Sequence, residues 1–64
     1  MGMSAFIVGN MKIEALSAEM AYRAVCCFFN AETPVAVIGE NGHVRKFTRK
    51  LDESGNLIEI KEER

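Results

Sequence analysis

The sequence is short of the residues from which small proteins build staples or reactive centres. Its 64 residues hold two cysteines and one histidine. Cys26 and Cys27 are adjacent, so a bridge between them would be strained. They lack the C-x-x-C spacing of redox pairs. With His43 distant in sequence, they also lack the four-ligand set of a structural metal site. Buried thiols packing as small hydrophobes are expected instead, with no metal and no cofactor. Gly39-Glu40-Asn41-Gly42 is followed by no helix whose amides would cradle a phosphate. Asp52, Glu53 and Asn56 around Gly55 fail the calcium-loop spacing and read as a polar turn. His43 has no nucleophile or acid in a recognisable motif, so it reads as a turn residue. An enzyme is not expected.

Neither sign of charge dominates, with 8 basic and 9 acidic residues. A net charge of −1 and a pI near 5.7 argue against a dedicated polyanion binder. The apolar runs fall far short of a membrane span. Met1 to Val8 shows neither a basic leader nor a cleavage site after a long enough apolar stretch, which argues against a secretory signal. Free thiols without such a signal point to the cytoplasm.

What the chain does have is apolar surface. Hydrophobic residues make up 48% and charged residues 27%, the balance of a globular domain. One domain, 1–64, is expected, with 1–4 and 62–64 frayed. Chains this short commonly recruit disulfides, a metal or a partner. With the first two argued against, association remains.

The stretch Ser17 to Asn30 predicts a helix over about 17–30. Ser17 suits the N-cap, Glu19 the positive end of the dipole, and Asn30 before Pro34 a left-handed stop. Leu16 is an apolar anchor ahead of the cap. Ala18, Ala21, Tyr22, Val25, Phe28 and Phe29 recur at three- and four-residue spacing as the core face. Glu19 and Arg23 lie one turn apart in the favourable order for an ion pair. Met20, Ala24 and Cys27 fill the remaining flank, which a single small sheet cannot also cover.

Around this helix the chain reads as strands. Gly9-Asn10 predicts a hairpin pairing Val8 with Met11 and Phe6 with Ile13, although residues 5–14 are also compatible with a backward extension of the helix. Val35 to Gly39, Val44 to Leu51 and Leu57 to Lys61 predict a three-stranded antiparallel meander over 35–62. Closing its first turn over Asn41-Gly42 puts Ala36 opposite Phe47 and Ile38 opposite Arg45, turning both toward the helix. Val35, Val37 and Val44 then lie on the far face. Closing the second over Ser54-Gly55 pairs Leu51 with Ile58, Lys50 with Glu59, Arg49 with Ile60 and Lys46 with Glu63. Phe47, Leu51, Ile58 and Ile60 share the core face.

These patterns predict an α+β domain: an N-terminal hairpin, one helix and the meander. The function expected is a small cytoplasmic protein–protein interaction or regulatory module acting as a homodimer, an inhibitor of viral or mobile-element type being one form of it. Met20, Ala24, Cys27, Val35, Val37 and Val44 are its expected interface. The alternative is a nucleic-acid-associated regulator using the basic strand His43–Lys50. There Arg45, Lys46, Arg49 and Lys50 would grip phosphates around Phe47.

Overall fold

In the computed structural model, which describes residues 2–63, the chain first reverses at Gly9-Asn10. β1 (Ser4–Val8) and β2 (Met11–Ala15) pair antiparallel, with Val8 opposite Met11 and Phe6 opposite Ile13. Residues 5–14 therefore form the hairpin, in the expected register. Gly9 has φ +63°, and no other type of residue among those described has positive φ. That is the type II′ pattern, whose twist matches that of the strands. A Cβ at Gly9 would stand 3.0 Å from the Phe29 ring, so the turn is also a packing site.

Ser17 starts the helix. Its backbone is extended (φ −151°), and its hydroxyl accepts a 3.2 Å hydrogen bond from the amide of Met20. α1 then spans Ala18–Val25, shorter than expected, and tightens into a 3-10 turn at Cys26–Phe28. The amide of Phe29 bonds to Cys26 O at 3.1 Å. Asn30 is not the left-handed cap. Its Oδ1 accepts from the amide of Glu32 at 2.9 Å, a side-chain turn that competes with helix continuation. Three residues per turn instead of 3.6 re-aims the paired aromatics. Phe29 goes inward against Gly9, while Phe28, expected in the core, is 72% exposed.

β3 (Val35–Ile38), β4 (Val44–Leu51) and β5 (Leu57–Glu63) follow. The expected hairpin and meander are one sheet, because β1 pairs antiparallel with β3 at Ile7–Ile38 and Val8–Val37. The result is an α+β fold with a five-stranded antiparallel sheet of order β2-β1-β3-β4-β5. Pairing reaches Ser4 and Glu63, further toward both ends than expected. Of the frayed ends expected at 1–4 and 62–64, Met1 and Arg64 lie outside the described residues.

The two meander turns correct two expectations. In the first, the amide of Gly42 bonds to Gly39 O at 3.0 Å and that of Gly39 to His43 O at 2.9 Å, with Gly42 at φ +82°. The loop thus has three residues, a type I turn closed by a left-handed glycine, and not two. Strand pairing shifts by one: Val35 faces Phe47, Val37 faces Arg45, and Ile38 faces Val44. Every β3 side chain changes face. Val35 and Val37 lie under the helix, and Ala36 and Ile38 lie on the far side, the reverse of the expected arrangement. The second loop repeats this geometry at Asp52–Asn56, with Gly55 at φ +88°. Here a β-bulge between Lys50 and Leu51 absorbs the extra residue. Leu51 pairs with Leu57 instead of Ile58, yet Lys50–Glu59, Arg49–Ile60 and Lys46–Glu63 stand as expected.

The core forms where α1 crosses β1, β2, β3 and the near part of β4. Val8, Ala15, Ala18, Ala21, Tyr22, Val25, Val35, Val37 and Phe47 are buried there. Tyr22 stacks on Phe47 with ring centroids 5.6 Å apart. Each such large apolar side chain contributes about 1.5–3 kcal/mol by leaving water. The distal part of the β4–β5 ribbon runs past this footprint, and the molecule measures 36 × 22 × 19 Å.

Candidate interaction surfaces

The outer side of α1 is apolar and open to solvent. Met20, Ala24 and Cys27 all face solvent, as the helical spacing predicts. Leu16, ahead of the cap, is 54% exposed and not the buried anchor expected, and Phe28 in the 3-10 turn is exposed too. Residues spaced by four along one flank present a single ridge. Met20 is 49% exposed despite its apolar thioether. Of the two thiols expected to be buried, Cys26 is half-buried, its Sγ donating to Arg23 O at 3.4 Å, and Cys27 is exposed. Among the described residues Glu19 and Arg23 do not form the ion pair that their spacing allows.

The far face of the sheet is also open, but its residues are not all those expected. Val35 and Val37 belong to the core, Val37 with 1% exposure, so neither is available to a partner. Val44 does lie on the open face. Register places it in a row with Ile38, Ile7 and Lys12 across β4, β3, β1 and β2. Ile7, Ile38 and Val44 are all exposed.

The basic strand is divided by the two-residue period of the sheet. Arg45 and Arg49 share the helix side with Phe47, whereas Lys46 and Lys50 point to the far side opposite Glu63 and Glu59. Arg45 makes a bidentate contact with Glu62, at 2.9 and 2.6 Å, and its guanidinium stands 5.3 Å over the Phe47 ring. The hydrogen bond to Glu62 raises the arginine pKa above its ordinary value. Arg49 donates to the Tyr22 hydroxyl at 3.3 Å, and its amide bonds to Ala31 O at 2.9 Å. Arg45, Phe47, Tyr22 and Arg49 therefore form one aromatic–cationic cluster between helix and sheet. The sequence pattern showed each member but not their meeting, because pairing between helix and strand leaves no trace in local spacing.

Polar turn residues serve the fold. The Asp52 carboxylate accepts from the amides of Asn56 and Ser54 at 2.8 and 2.9 Å, and these contacts, that of Asn56 foremost, lower its pKa. Glu40 accepts from the amide of Ala5 at 2.7 Å and so ties the β3–β4 turn to β1. Asn41 Oδ1 accepts from the amide of His43 at 3.0 Å, and its Nδ2 lies 3.3 Å from the His43 ring. A shallow cleft of about 260 Å³ opens between Ser17, Phe6 and the residues Asn41, His43 and Arg45. Among the described residues no group of three His, Cys, Asp or Glu is placed to hold a metal ion. Nor is any described helix long and apolar enough to cross a membrane. No protein-family model matches the chain, and no curated protein or solved structure matches it significantly.

Proposed function

We propose that the protein is a small non-enzymatic protein–protein interaction or regulatory module, acting as a homodimer, with the outer side of α1 as the surface offered to another polypeptide. One observation carries the reading: Met20 and Ala24 on α1, with Leu16 before it and Cys27 and Phe28 after it, are all exposed apolar residues on a chain too small to spare that surface. An inhibitor of viral or mobile-element type would need no more than such a surface on a stable base. Cytoplasmic location fits the two unpaired thiols, one of them exposed. Affinity capture from a cell extract, followed by reconstitution with the purified target, tests the ridge. Met20→Lys and Ala24→Glu are expected to abolish target binding while leaving the unfolding midpoint nearly unchanged, since exposed substitutions cost within about 0.5 kcal/mol. Target binding indifferent to both substitutions overturns this surface.

A nucleic-acid-associated regulator using His43–Lys50 finds less support. Arg45 is already engaged by Glu62, Arg49 by Tyr22, and Lys46 and Lys50 stand across from carboxylates. Salt-dependent retention on a nucleic-acid column would favour it nonetheless.

A further inference from the structure

β5 is an edge strand. It pairs with β4 on one side, no other strand among the described residues pairs with its other side, and all seven of its residues except the half-buried Ile60 are exposed. An unpaired edge offers its amides and carbonyls to another strand, and proteins usually blunt it with charge. β5 does carry charge, but in a self-complementary order. A second copy joined antiparallel by a two-fold axis must keep each side chain on its own face, so only registers centred on a residue are open to it. Centring on Glu59 opposes Glu59 to its own symmetry mate. Centring on Lys61 opposes Lys61 to its mate and Glu59 to Glu63. Centring on Ile60 sets Glu59 against Lys61 twice and Ile60 against Ile60, and Ile60 is the midpoint of Leu57–Glu63, so the whole strand overlaps.

We propose that two copies of this chain join through β5 in the register centred on Ile60, making one ten-stranded antiparallel sheet. This rests on the homodimer reading above and names its surface. A two-fold axis normal to the sheet keeps both helices on the same side, so the dimer shows both α1 ridges to a common partner. The far face gains an alternating row, with Lys50 of one chain, its Glu59, and then the mate's Lys61. On the helix side the distal ribbon is bare in a single chain, with Ile58 57% exposed and Leu51 and Leu57 also open. In the dimer this ribbon falls between the two helices, and Ile58 lies next to the mate's Glu62.

Charge reversal tests the register without touching the core. Light scattering on the wild-type protein is expected to give twice the 7.1 kDa chain mass. Lys61→Glu and Glu59→Lys each place like charges opposite one another twice, and each is expected to weaken the dimer by about tenfold or more. Circular dichroism is expected to show both variants folded, and Lys61→Glu is the milder because Lys61 faces only Thr48 within its own chain. Mixing the two variants restores both opposite-charge pairs, so an equimolar mixture is expected to form a heterodimer. A wild-type dimer with both variants equally dimeric overturns the β5 interface and leaves the homodimer standing. Loss of that dimer in Met20→Glu would then place it on α1. A monomeric wild type at millimolar concentration overturns both readings.

Discussion

Tyr22 shows how much one side chain carries in a domain this small. Its ring is fully buried against Phe47, and its hydroxyl, which would otherwise be left dry, accepts from Arg49. Tyr22→Phe is expected to lower stability by about 0.5–1.5 kcal/mol by removing that acceptor, and Tyr22→Ala by about 3–5 kcal/mol, as urea unfolding would measure. The apolar spacing of the helix made Tyr22 legible as a core residue, but its Arg49 partner, 27 positions away, was not. Asp52 is a second case. The amide of Asn56 foremost lowers its folded pKa below the ordinary aspartate value of about 3.9 that the unfolded chain has. The stabilisation is therefore fully present above that value and is lost as pH falls through the folded pKa. Carboxyl titration by nuclear magnetic resonance is expected to place Asp52, the one aspartate of the chain, below the ordinary aspartate value. Asp52→Asn is expected to remove this contribution to acid sensitivity.

At the scale of elements, turns decide what strands bury. Both meander loops contain three residues and close on a left-handed glycine, Gly42 in one and Gly55 in the other. A short loop with Asn-Gly or Ser-Gly in it is equally compatible with a two-residue turn, so sequence could not tell the two apart. In β4–β5 the bulge repaired the difference, and the charge pairing read from sequence is the observed one. In β3–β4 nothing repaired it, and Val35 and Val37 went to the core. The helix was more legible at its start than at its end. Ser17 caps it by the bond its hydroxyl makes to Met20, and Ser17→Ala is expected to cost about 1 kcal/mol in thermal unfolding. Its end depended on Asn30 choosing the amide of Glu32 over a left-handed stop.

Taken whole, the molecule exposes more surface than its mass calls for. Its accessible area is 4620 Å², against about 4,100 Å² for a compact monomer of this mass. Its radius of gyration is 11.5 Å, against about 10.7 Å. The excess fits the overhanging β4–β5 ribbon and the bare helix ridge, the two features from which association is argued. Sequence by itself determined the α+β class, the register the first hairpin takes once residues 5–14 are paired strands, the capped start of the helix and its Met20–Ala24–Cys27 flank. Each rests on side-chain period or on a turn residue acting within a few positions. Tertiary structure alone decided that β1 joins β3, that Val35 and Val37 face inward, and that Arg45 and Arg49 are held by Glu62 and Tyr22. Those outcomes depend on which distant surfaces meet, and packing between remote segments is not encoded in any local period.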